Sequence, residues 1–371
     1  QNGREREEMR EQEAKSLDIY LANYSKRIKS ELTPQLPNLD TIIDAIVNTK
    51  DSAPGPDGIP FAILRLFANE IAPSILRILE DLAKGNPPPL GFNFGNLHLF
   101  PKNESMLVSD TRPITVSNTI NRIIARIVAL SIIPGVVEML EKSQKGFTPG
   151  ELGGDHIKSI TEKFYTQKEK RKNWFLLFLD TKKAFDSIDH DFIFRVLKKI
   201  GMPSWVTNCF GGLMHEVRVF TTLRNKGKKA IHIKRGVKQG CPLSPIIFNI
   251  CFDVLLTYLA GNEKERAEKR ERENRTERER TKQEIAIGDQ RERERERDER
   301  EKEEAFAFAD DLATSTGVIE TIIDTLRTIR TFSKFSGLGL NIGKTKIVTT
   351  QGGSRIDKTK MIEAGFGKIK F

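Results

Sequence analysis

The 371 residues carry 61 Lys/Arg against 51 Asp/Glu, a formal net charge of +10, with 38% hydrophobic residues and three cysteines. The length suits two or three domains or one multi-lobed unit, and the basic balance favours a polyanionic partner such as nucleic acid. Cys209, Cys241 and Cys251 have neither CxxC spacing nor His partners, which argues against a zinc site or a disulfide framework, and with no signal-peptide core and no apolar run of about 18 residues the expectation is a soluble intracellular protein.

In chain order, residues 1–38 read as a charged, partly flexible leader. The chain begins with Gln rather than Met, so it is expected to be a piece of something longer. Helical periodicity over 39–50 runs into Ser52-Ala-Pro-Gly-Pro-Asp-Gly58, where Pro and Gly must break it. A helix over 60–82, a short strand over 97–101, a turn at Asp110-Thr-Arg-Pro-Ile114 and a helix over 119–132 follow. Further helices are predicted over 155–170, 189–200, 203–215 and 243–260, with strands near 217–223 and 230–235. A last amphipathic helix over 318–336 stops at Gly337 and leads to a strand over 345–350. Helices and strands interleave without a regular βαβ repeat, which points to an α+β fold.

Residues 261–304 break the pattern. This stretch alternates Glu and Arg and carries slightly more acid than base, so the positive field belongs to the rest of the chain. In Arg291-Glu-Arg-Glu-Arg-Glu-Arg297 residues four apart share a sign while those three apart are opposite, so helical ion-pair support largely cancels. A solvated, frayed helix or a disordered insertion is expected.

The chemistry sits in acids placed among apolar residues. Trp174-Phe-Leu-Leu-Phe-Leu-Asp180 reads as a buried strand ending in a carboxylate. Ala305-Phe-Ala-Phe-Ala309, Asp310-Asp311 and Leu312-Ala-Thr-Ser-Thr316 read as strand, tight turn and strand, with the two acids as the turn. Two carboxylates about 4 Å apart repel by roughly 4 kcal/mol at an effective dielectric near 20. Such a cluster holds protons or a hard cation, and Mg²⁺ bound through one or two carboxylates with room left for substrate phosphate points to phosphoryl transfer.

Five further stretches keep a definite order around these acids: Ala53-Pro-Gly-Pro-Asp-Gly-Ile59; Phe100-Pro-Lys102 with Asp110 to Ile114; Gln144-Lys-Gly-Phe147; Arg235-Gly-Val-Lys-Gln-Gly-Cys-Pro-Leu-Ser-Pro245; and Gly337-Leu-Gly-Leu-Asn341 with Lys344-Thr345. With Phe178-Leu-Asp180 through Ala184-Phe-Asp186 and Phe308-Ala-Asp-Asp311, the succession resembles the reverse transcriptases of non-LTR (LINE-type) retrotransposons over roughly residues 40–350. An intron maturase-type enzyme and a catalytically silent RNA-binding scaffold of the same fold are the alternatives.

The resemblance implies an RNA-directed DNA polymerase with fingers, mainly over 39–173, and a palm over 174–260 and 305–352, the palm an antiparallel sheet packed on helices. Residues 353–371 would begin a thumb that is missing or truncated. It also implies two Mg²⁺ ions, with Mn²⁺ as a substitute, held by Asp180, Asp310 and Asp311 with the Thr181 main chain nearby. Lys102 and Arg112 would meet the triphosphate of the incoming dNTP, and Phe185 would lie beneath its sugar and select against a 2′-hydroxyl. Gln239 and Gly240 would approach template and nucleotide, and Lys344 matches a position from which a lysine protonates the leaving pyrophosphate. Implied partners are an RNA template, a DNA primer, dNTPs and the element RNA in a ribonucleoprotein of nucleus and cytoplasm, with no membrane.

Overall fold

The computed structural model describes residues 2–28, 32–104, 107–223, 227–261, 304–351 and 355–370. The Glu/Arg tract and the expectation attached to it lie outside the described residues, save its edges. The chain divides into two compact units, each assembled from separate segments: one from Gln1–Arg27, Glu141–Lys182 and Phe252–Phe371, the other from Ile28–Leu140 and Lys183–Cys251.

The first unit is built on a four-stranded sheet, ordered β6-β7-β3-β8, from β3 (Phe175–Leu179), β6 (Glu304–Phe308), β7 (Asp311–Thr316) and β8 (Lys346–Thr349). All its pairings are antiparallel. The Phe/Leu run of β3 is almost wholly buried because both faces of this central strand are covered. On one face Trp174, Leu176, Phe306 and Ala313 pack with Ile160 and Phe164 of the helix Gly153–Glu169. The helix Ile319–Ser336 packs against β7 and β3 and buries Ile322, Leu326, Ile329 and Phe332. It stops where predicted, at Gly337, which takes the left-handed conformation that glycine adopts without a Cβ penalty.

The N-terminal residues form a helix, Asn2–Arg27, which the charge of this stretch conceals. Leu17, Tyr20, Leu21 and Tyr24, spaced along one helical face, are buried, and the helix lies against Ile319–Ser336. Each such buried side chain contributes on the order of 1.5–3 kcal/mol. Tyr20 stacks on Tyr258 with ring centroids 3.8 Å apart, and Arg27 pairs with the buried Asp253.

The second unit holds a sheet ordered β2-β1-β4-β5, from β1 (Phe94–Pro101), β2 (Thr111–Ser117), β4 (Arg218–Leu223) and β5 (Gly227–His232). It is antiparallel except for the parallel β1–β4 pair. Here the turn expected at 110–114 gives way to β2, which follows a short 3-10 turn, Val108–Asp110. Pro113 disguised the strand, and the sheet tolerates it because β2 is at the edge, where a missing N–H breaks no ladder. The helix expected over 60–82 is two helices, Phe61–Leu66 and Ala68–Ala83, divided at Phe67 (φ −112°, ψ 35°). Caps follow the sequence: the Thr41 N–H donates to Asn38 Oδ1 at 2.9 Å, and the Asp191 N–H to Asp189 Oδ1 at 3.0 Å.

One expectation from composition is corrected. Two helices, Thr119–Met139 and Ser244–Gly261, are long and apolar enough to cross a membrane by length and composition. Both are mostly buried inside the protein, so packing within the fold accounts for their apolar character. The three cysteines are buried and form no disulfide.

Candidate active site

Within the first unit, the β3–β7 register assembles the acids. Leu179 pairs with Leu312, so the next position of the ladder sets Asp180 beside Asp311, the first residue of β7. Side chains alternate along a strand, which puts both on the face that also carries Phe178 and Ala313. Asp310 occupies the adjoining turn, and its Oδ2 accepts a hydrogen bond from Thr181 Oγ1 at 3.3 Å.

The turn falls one residue earlier than the sequence suggested. Phe308 pairs with Asp311, so Ala309 and Asp310 form the two-residue turn and Asp311 belongs to the strand. Ala309 has φ +57°, a left-handed conformation costing roughly 1–2 kcal/mol for a residue with a Cβ. Its backbone is held from outside the hairpin: Ala309 N–H donates to Gln144 Oε1 at 2.9 Å, and Gln144 Nε2 donates to Ala309 O at 3.1 Å.

Asp180 is fixed by the segment after Gly337. Asn341 Nδ2 donates to Asp180 Oδ2 at 2.7 Å, and Asn341 N–H donates to the Asp180 carbonyl at 2.8 Å. Thr181 forms an antiparallel bridge with Leu340, and Lys182 N–H donates to Gly339 O at 2.7 Å. Lys344 is exposed on the turn that follows, its N–H bonded to Asn341 O at 3.1 Å.

The electrostatics suit a cation. Asp311 stands at the exposed rim, yet partial desolvation, and then the charges of Asp310 and Asp180, hold its carboxyl above the usual range. Among the described residues none of these three acids has an ion pair with Lys or Arg. Nor do any three described His, Cys, Asp or Glu side chains stand close enough to enclose a metal ion. The acids therefore line an open edge of hard oxygen donors with unbalanced negative charge, a donor set that fits a divalent ion completed by water and substrate oxygens.

The other predicted residues lie in the second unit. Lys102 and Arg112 are exposed at the loop end of the β1–β2 hairpin, where Lys102 N–H donates to Asp110 O at 2.9 Å. The free edge of β2 then receives the turn at 239–240. Thr115 N–H donates to Gln239 O at 2.8 Å, and Gly240, at φ +104°, approaches so closely that an added Cβ would lie 2.8 Å from Thr115 O. Gln239 Nε2 donates to Asp186 Oδ1 at 3.1 Å. Burial raises the Asp186 carboxyl, opposed by the Gln239 bond and by the charges of Lys183 and Lys102. Phe185 is half-buried and stacks on Phe248, ring centroids 4.6 Å apart, while its carbonyl accepts from Val237 N–H at 2.7 Å.

Lys102, Arg112, Phe185, Gln239 and Gly240 thus belong to one unit, and Asp180, Thr181, Asp310, Asp311 and Lys344 to the other. Gln144, Asn341 and Asp186 take part in the local networks without having been singled out. Each lies inside one of the ordered stretches, which was the available signal.

A profile of the family described as reverse transcriptase (RNA-dependent DNA polymerase) matches residues 100–362. The chain belongs to the reverse transcriptase family. It is 32% identical over 224 residues to the Pol polyprotein of the type-1 retrotransposable element R2 of Popillia japonica, covering 58% of the chain and 30% of that relative. It is 30% identical over 215 residues to the Pol polyprotein of the element R2DM of Drosophila melanogaster, covering 56% of the chain and 19% of the relative. A 149 kDa transposon TX1 protein of Xenopus laevis is 24% identical over 237 residues, 63% of the chain and 18% of the relative. This reverse transcriptase domain is of the non-LTR retrotransposon kind, and it spans less than a third of the length of these relatives. Polymerase domains of the family generally use divalent metal ions, in keeping with the open acidic edge.

Proposed function

We propose that this chain is the RNA-directed DNA polymerase core of a non-LTR retroelement, adding dNTPs to a DNA primer 3′-hydroxyl on an RNA template with Mg²⁺, for which Mn²⁺ substitutes. The observation that carries the reading is the β3–β7 register, which brings acids 130 residues apart in the chain, Asp180 and Asp310, to one sheet edge together with Asp311. In this reading the sheet β6-β7-β3-β8 is the core of the palm and the β1–β2 hairpin belongs to the fingers.

Asp180, Asp310 and Asp311, with the Thr181 main chain, would hold the ions, which would supply Lewis-acid stabilisation of the charge on the reacting phosphoryl oxygens. Asn341 keeps one Asp180 oxygen oriented, and Thr181 does the same for Asp310. Lys102 and Arg112 would neutralise the triphosphate, Arg112 through its planar fork. Gln239 and Gly240 would line the approach of template and nucleotide, and Lys344 would supply a proton to pyrophosphate. The element RNA, carried as a ribonucleoprotein in cytoplasm and nucleus, would be the natural template.

Primer extension on poly(rA)/oligo(dT) with Mg²⁺ tests this reading. Asp310→Asn is expected to lower synthesis by about 10³-fold or more with an unchanged circular dichroism spectrum, since it removes a charge aimed at the reacting centre. Synthesis that survives this substitution would overturn the assignment. The role given to Phe185 has its own test: Phe185→Ala should raise ribonucleotide use relative to dNTP use, and an unchanged ratio would return Phe185 to a packing role against Phe248.

A further inference from the structure

We propose that Gln144 is the positioning residue of the acidic hairpin, clamping Ala309 so that Asp310 and Asp311 are presented at fixed places on the sheet edge. This rests on the polymerase reading for its consequence in catalysis, but the clamp itself is a matter of backbone geometry.

Gln144 is buried, 2% exposed, and lies between a turn at 142–143 and turns at 146–147 and 149–150. Its amide makes three hydrogen bonds, all to backbone. Oε1 accepts from Ala309 N–H and Gly146 N–H, both at 2.9 Å, and Nε2 donates to Ala309 O at 3.1 Å. Ala309 is itself buried and has left the strand ladder, so without Gln144 a buried N–H and a buried carbonyl lose these partners together. The left-handed backbone at Ala309, unfavourable for any residue with a Cβ, is thus held by a side chain 165 residues away in sequence.

The surrounding backbone is shaped for this grip. Ala307 N–H donates to Ser143 O at 2.8 Å and Lys145 N–H to Ala307 O at 2.9 Å, so residues 143–145 run parallel beside β6 and aim Gln144 at the turn. Gly146 follows where nothing larger fits, since an added Cβ would lie 2.0 Å from Ala309 N. His156 Nε2 lies 2.8 Å from Ser143 O and 3.2 Å from Ala307 O, tying the same two segments a second time. None of these groups belongs to the acidic cluster. Their common product is the position of Ala309, and the next residue is Asp310.

A carboxylate displaced by about 1 Å can cost on the order of 10²-fold in rate. Gln144→Met keeps the length and volume of the side chain and removes all three bonds. In primer extension it should lower kcat by about 10²-fold, on that same principle, and leave KM for dTTP within about threefold, because the side chain is buried and its amide bonds go to backbone. Gln144→Glu, which still accepts from both N–H groups but lacks the donor, should fall between Met and wild type. Hydrogen exchange followed by mass spectrometry on the substrate-free protein supplies the second readout: the 305–311 segment should exchange faster in Gln144→Met while the rest of the sheet keeps its protection.

A kcat within twofold of wild type, or unchanged exchange at 305–311, would overturn the proposal. So would loss of the folded spectrum in both variants, which would make Gln144 part of the core rather than a positioning group. The exchange measurement needs no polymerase activity, and Asp310→Asn tests the acids with Gln144 intact, so a failure of the clamp and a failure of the polymerase reading give different results.

Discussion

At the scale of single residues, the positions that decide the candidate site are those where backbone approaches backbone. Gly240 combines a positive φ of +104° with a close approach to Thr115 O, so a side chain there meets strain and collision together. Gly240→Ala is expected to destabilise the protein by about 1–3 kcal/mol, read from the midpoint of urea unfolding. A midpoint matching wild type would show that the turn relaxes without cost. The sequence made this glycine visible, because it stands in an ordered stretch of unusual composition. It did not make Ala309 visible, since alanine does not advertise a left-handed conformation, and the acidic pair therefore looked like the turn itself. Only the pairing of Phe308 with Asp311 and the two bonds from Gln144 move the turn back by one residue. Asn341 was legible as a member of a stretch, but the partner of its amide, Asp180, follows from tertiary packing alone.

Among the elements, periodicity served well where one face is apolar and the other polar. The helices Gly153–Glu169, His190–Lys199, Ser204–Met214 and Ile319–Ser336 begin and end within two residues of their predicted limits. It failed where composition masked the pattern, as with Pro113 in the edge strand β2 and the charge surrounding Leu17, Tyr20, Leu21 and Tyr24 in Asn2–Arg27. That N-terminal helix is secured by a buried acid. Asp253 is fully enclosed, and burial, only partly offset by Arg27, raises its carboxyl to about 7. Because this value lies above that of the unfolded chain, its contribution to stability is fully present below pH ~4 and is lost as the pH rises through ~7. The melting temperature should therefore fall between pH 5 and pH 8, and Asp253→Asn, a neutral isostere, should flatten that slope. An equally steep slope in the variant would mean that Asp253 is already ionised beside Arg27 across this range.

For the whole molecule, the distribution of charge determines what the Glu/Arg tract can contribute. The tract is close to neutral overall while the remaining chain is strongly basic, so the field that attracts a polyanion arises outside it. Binding to a primer–template should weaken steeply with salt, since each phosphate neutralised by Lys or Arg releases condensed counterions, giving a slope of roughly −0.7 to −0.9 per contact in log affinity against log salt. The tract enters between Gly261 and Glu304, after the long helix and before β6, and includes none of the site residues. Replacing residues 262–303 by a Gly/Ser linker of equal length is therefore expected to leave the slope unchanged and primer extension within about twofold, as a flexible chain of that length still spans the junction. Binding measured by fluorescence anisotropy at several salt concentrations distinguishes the possibilities. A slope reduced by several contacts in the linker variant would show that the tract's arginines engage phosphate despite the alternating glutamates, and would make it a nucleic-acid arm rather than a passive insertion.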